Sequence, residues 1–84
     1  ICDIEPKAKL HYLCIPKTHF AFLSEMDEQK AETLKYCFEK IPKLAPTLGL
    51  QDGYRVIINQ GENGGQAVHH LHIHLLGGEK LKDF

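Results

Sequence analysis

Six histidines punctuate this chain, and four of them fall in the stretch Val68-His69-His70-Leu71-His72-Ile73-His74-Leu75-Leu76. In an extended strand successive side chains point to opposite faces, which puts His70, His72 and His74 on one face and His69, Leu71, Ile73 and Leu75 on the other. The pattern predicts a ladder of imidazoles at ~6.5–7 Å spacing. Imidazole titrates nearest neutrality, so three on one strand can divide the roles of nucleophile, acid and orienting group. They can equally share a metal ion, or form a polar face turned to solvent. His11 and His19 are further candidates for either chemistry. His19, just after Pro16-Lys17-Thr18, reads as a surface residue, and His69 as a packed or edge residue.

The stretch is preceded by Asn59-Gln60-Gly61-Glu62-Asn63-Gly64-Gly65-Gln66. Glycines let a backbone take positive φ and bring its N–H groups close to a ligand, and such groups form anion-binding concavities. Anion-binding amides beside an imidazole suit phosphoryl or nucleotidyl transfer, where the protein chiefly positions phosphate and neutralises its charge. A plain flexible connection is the alternative.

These parts need elements to hold them. Leu10-His11-Tyr12-Leu13-Cys14-Ile15 is rich in β-formers and stops at Pro16, as a strand does. Ser24 to Asp27 carries the spacing of a helix start. From there Ala31, Leu34, Cys37, Phe38, Ile41, Leu44, Ala45 and Leu48 build one apolar stripe. Pro42 and Pro46 each lack an N–H, so the helix is expected to end or kink near Lys40 and resume as a short turn. Gly49 is a stop, and Asp52-Gly53 turns into a second strand, Tyr54-Arg55-Val56-Ile57-Ile58. Tyr12, Tyr36 and Tyr54 read as core or rim aromatics.

The 84 residues make one small domain, 1–84, near the lower end of what folds alone. Ten Lys plus Arg against 11 Asp plus Glu give a net charge of −1, which argues against a nucleic-acid groove or a polybasic membrane patch. Cys2, Cys14 and Cys37 are an odd number without CxxC spacing, which suits a reducing cytosol better than a disulfide framework. No apolar run is long enough for a membrane span, and Ile1-Cys2-Asp3-Ile4-Glu5-Pro6 lacks the pattern of a signal peptide. The chain opens in what reads as mid-strand sequence, so a preceding segment is expected in the natural protein.

His70-Leu71-His72-Ile73-His74-Leu75-Leu76, with Gly64-Gly65-Gln66 before it and Gly77-Gly78 after it, resembles the signature of the histidine triad family, and most of all its Hint branch of nucleotide-binding proteins. Asp3-Ile4-Glu5-Pro6-Lys7-Ala8, the stretch His11 to His19, Leu48-Gly49-Leu50 and Gly53-Tyr54-Arg55 are similar to further family segments, in the family's order. The resemblance implies an α+β fold, an antiparallel sheet with one long helix, assembled as a homodimer. It also implies hydrolysis of purine nucleoside phosphoramidates or related nucleoside monophosphate conjugates. By similarity His72 is the nucleophile that carries a transient nucleotidyl group, a form of covalent catalysis. His70 orients and polarises it, and His74 donates near the leaving group. Asn59 and the Gly65-Gln66-Ala67 backbone hold phosphate, Asp3 accepts the ribose hydroxyls, Ile4 borders the base, and His11 supports the triad. No cofactor is implied.

Some relatives hold a structural zinc through an N-terminal cysteine pair and histidines matching His19 and His70. That pair is not in this sequence, so the expectation is no metal. The family's residues before the Asp-Ile turn are also absent. Ala67 stands where some relatives have Ser, and the tail Glu79 to Phe84 lacks their Trp-Pro ending. A slower enzyme is therefore expected. The alternatives are a nucleotide-sensing or interaction module without appreciable chemistry, or a protein that binds metal through His70, His72 and His74.

Overall fold

Three strands and one long helix make up the fold, an α+β arrangement described for residues 7–83 in a computed structural model. β1 is Leu10–Cys14, α1 is Glu28–Leu44, β2 is Tyr54–Ile57 and β3 is Ile73–Gly77. The sheet order is β1-β3-β2, with both pairings antiparallel. The histidine strand is thus central, with His74 opposite Leu13 on one side and Ile57 on the other.

Alternation places the core. Leu71, Ile73 and Leu75 all turn to the helix side, where they meet Leu34, Cys37, Ile41 and Ala45 from the helix and Phe20 and Leu50 from the flanking loops. Ile73 and Leu71 are 0% and 1% exposed. Full burial of such a side chain contributes roughly 1.5–3 kcal/mol. The Tyr12 hydroxyl donates to Leu48 O at 2.9 Å, tying β1 to the exit of the helix.

The helix starts later and ends later than the sequence predicts. Leu23–Glu25 forms a 3-10 turn, and the cap is Asp27, whose carboxylate accepts the Lys30 N–H at 2.9 Å. At the other end α1 runs through Pro42 to Leu44 without stopping at Lys40. A proline there forfeits one backbone bond, while Ala45 N still donates to Ile41 O at 3.0 Å. The stripe also splits. Leu34, Cys37, Ile41 and Ala45 are buried, but Ala31, Phe38 and Leu44 are exposed, because one sheet face covers only a narrow sector of the helix.

Cys14 and Cys37 are free thiols. Burial, followed by the neighbouring Cys14 thiol, pushes Cys37 from its ordinary 9.0 up to about 11. It is a protonated packing residue at neutral pH.

Candidate active site

The three triad histidines do not form a simple ladder. Only His74 lies within β3, His72 sits just before it, and Val68 to His70 form a bend. That bend turns His69 outward, where its ring lies 5.7 Å from the ring of Phe22, in place of the apolar face expected for it.

The backbone fixes which nitrogen of each ring carries a proton, since a carbonyl only accepts and an amide only donates. His72 Nδ1 lies 2.8 Å from His70 O, so Nδ1–H donates and the lone pair is on Nε2. The Lys7 N–H donates to His11 Nδ1 at 3.0 Å, so in neutral His11 the proton is on Nε2. His11 Nε2–H donates to His74 Nδ1 at 2.8 Å, which places the proton of neutral His74 on Nε2. The rings of His72 and His74 meet edge to face with centroids 4.8 Å apart. The site therefore sets a ring with a nucleophilic nitrogen beside a ring that carries a donor, the pair that nucleophilic catalysis with acid assistance needs.

His70 supports His72 with its carbonyl while its own ring points elsewhere. Its Nε2–H donates to Pro16 O at 3.1 Å, and its Nδ1 receives His19 Nδ1–H at 2.8 Å. The resemblance paired His19 with His70 only as ligands of some relatives' zinc; their direct hydrogen bond, which spans 51 residues, leaves no local pattern. The His70 ring turns away from the other two, and among the described residues no group of three His, Cys, Asp or Glu side chains is placed to hold a metal ion.

Asn59 joins Lys7, His11, Ile57, His74 and Leu76 around a hollow of about 190 Å³. A second, almost wholly apolar hollow of about 310 Å³ is lined by Leu13, Ile15, Val68, His70 and His72. A larger hollow of about 560 Å³ at the Gly77 end of the sheet, beside Arg55 and Glu79, holds no histidine.

The glycine loop is a closed turn. Gly65, at φ +78°, donates its N–H to Glu62 O at 3.0 Å, and Gln66 N donates to Gly61 O at 2.9 Å. A Cβ on Gly64 would meet Gln60 O at 2.2 Å, so no other residue fits there without a shift. Two of the three amides expected to hold phosphate are thus engaged inside the loop, while Ala67 N has no acceptor among the described residues. Asp3 and Ile4 lie outside the described residues.

The model of the HIT domain matches residues 1–81. Protein HitA of Neisseria gonorrhoeae is 45% identical over 75 residues, which are 89% of this chain and 70% of that protein. An uncharacterised HIT-like protein of Chlamydia muridarum is 46% identical over 81 residues, 96% of this chain and 64% of its own length. Among solved structures, a HIT family hydrolase from Legionella pneumophila superposes with a TM-score of 0.88 at 40% identity, over 96% of this chain and 73% of that one. A histidine triad nucleotide-binding protein from Candida albicans does so with a TM-score of 0.75 at 30% identity, over 99% and 67%. The chain belongs to the HIT domain family and has the fold of its hydrolases and nucleotide-binding proteins.

Proposed function

We propose that this chain is a nucleotide hydrolase of the Hint branch, cleaving purine nucleoside phosphoramidates or related nucleoside monophosphate conjugates. The observation that carries the reading is the His72 ring, held through Nδ1–H by the His70 carbonyl so that Nε2 keeps its lone pair, with His74 at its edge. His72 Nε2 attacks the α-phosphorus; the P–N bond to the leaving amine breaks and the amine takes up a proton from His74. Water then gives a proton back to His74 as its oxygen attacks phosphorus; the P–O bond forms, the P–N bond to His72 breaks and the nucleoside monophosphate is released. Asn59 and the loop ending at Ala67 hold the phosphate oxygens, and Asp3 and Ile4 hold the nucleoside.

The protein acts as a homodimer in this reading. Ile15, Tyr36 and Leu44, at 45%, 61% and 51% exposure, border a groove of about 660 Å³ between β1 and α1 that a second copy would close. With Cys14 and Cys37 unbridged, a reducing cytosol is the setting we infer.

The test is a single-turnover reaction with an adenosine phosphoramidate, quenched without acid and mapped by mass spectrometry. An adenylyl group on His72, lost in His72→Ala, is expected. Turnover by His72→Ala at the wild-type rate overturns the mechanism. Ala67 brings no hydroxyl to the leaving group, which favours a binding-only module as the second reading. Nucleotide binding by the wild type without adduct or turnover would select it.

A further inference from the structure

Two polar side chains are buried among the described residues, His11 and Gln66. His11 belongs to the histidine relay, but the Gln66 side chain bonds to backbone groups. Its Oε1 accepts the Gly61 N–H at 2.9 Å, and its Nε2 donates to Ala21 O at 2.8 Å and Val68 O at 3.3 Å. Both N–H groups of the side chain are thereby used.

Ala21 lies 45 residues before Gln66, in a turn that no candidate ligand contact occupies. That turn meets the loop region repeatedly. Leu23 N donates to Gln60 Oε1 at 2.7 Å, and Leu71 N donates to Phe20 O at 2.7 Å. The Glu25 carboxylate accepts the N–H groups of Phe22 at 2.9 Å and Ala21 at 3.1 Å, giving the turn a fixed shape.

We infer that Gln66 is a positioning residue: its side chain braces the Gly61–Gln66 loop against the Phe20–Glu25 turn and so sets where the loop's exit amides stand relative to His72. This rests on the proposed role of that loop in holding phosphate. The amide is required because the site offers one N–H and two carbonyls, a set that a carboxylate cannot satisfy and a carboxylic acid satisfies in part. In Gln66→Glu an ionised side chain would set an oxygen against Ala21 O and Val68 O, whereas protonation would restore one donor.

The experiment is Gln66→Glu beside wild type, with two readouts over a pH series: amide hydrogen exchange at Gly61 and Gln66, and steady-state hydrolysis of an adenosine phosphoramidate. Above neutrality the variant is expected to exchange faster at both amides, with β3 amides unchanged, and to lose on the order of 10- to 100-fold in kcat/KM. The variant-to-wild-type ratio should rise toward one as the pH is lowered. A merely structural role would also loosen the β3 amides, which the positioning role leaves unchanged. Gln60→Ala, which cuts the tether to Leu23, should give a smaller loss without recovery, and it decides the point if Gln66→Glu does not fold. Unchanged loop exchange overturns the inference, as does loosened exchange with wild-type kinetics. A wild type that neither binds nor turns over nucleotide sinks the proposed function instead, and exchange still decides the tether.

Discussion

His11 is 5% exposed, accepts an amide proton on one nitrogen and donates from the other, so its replacement tests how much the tautomer of His74 matters. His11→Leu keeps a similar volume and removes this donor to His74 Nδ1. We expect kcat for phosphoramidate hydrolysis to fall on the order of 10²-fold, with a smaller change in KM, in steady-state kinetics. The Lys7 N–H would lose its acceptor too, so a loss of about 1–3 kcal/mol in stability should accompany it in denaturant unfolding. At this scale the sequence offered the histidines as candidates, and it revealed the alternation of Leu71, Ile73 and Leu75 into the core. It could not reveal the bend at Val68 to His70 or the hydrogen bond of the His70 ring to Pro16 O. Both are set by groups tens of residues away, Pro16 O and Ala21 O among them.

The elements that hold the site depend on exposed carboxylates as well as on apolar burial. The Lys30 ammonium and then the Lys30 N–H hold the Asp27 carboxyl below its ordinary 3.8. The Phe22 and then the Ala21 N–H hold Glu25 below 4.5. A lowered folded-state pKa means stability that is present above the unfolded value and lost as the pH falls through the folded one. The start of α1 and the 3-10 turn should therefore loosen reversibly below about pH 4, seen as a fall in far-ultraviolet circular dichroism. Asp27→Asn keeps an acceptor for the Lys30 N–H but cannot titrate, so its acid-induced loss should be smaller. The existence of β1, α1, β2 and the histidine strand was legible from periodicity and punctuation. Their ends were not: Asp27 rather than Ser24 made the cap, and Pro42 was carried within the last turn at the loss of the one bond its N–H would have made to Phe38 O.

For the whole molecule, the exposed side of α1 marks where a second copy is proposed to sit. Tyr36→Glu places a charge in that groove, whose lining includes no histidine. Sedimentation equilibrium should give twice the chain mass for the wild type and a shift toward the single-chain mass for the variant. A wild type that sediments as a single chain overturns the dimer. The fold class could be read from the sequence, but the division of the helix stripe into a covered and an uncovered half could not, since periodicity does not say how wide a neighbour is.

The order β1-β3-β2 leaves its open hydrogen-bonding rows, among the described residues, on β1 and β2. The strand bearing His74 has both flanks already spoken for. Another strand can join either margin, from a second copy or from elsewhere in a longer chain, without competing for any bond that sets the histidine register. Growth of the sheet and upkeep of its chemistry are in that respect insulated from each other, so a change of assembly need not retune the site.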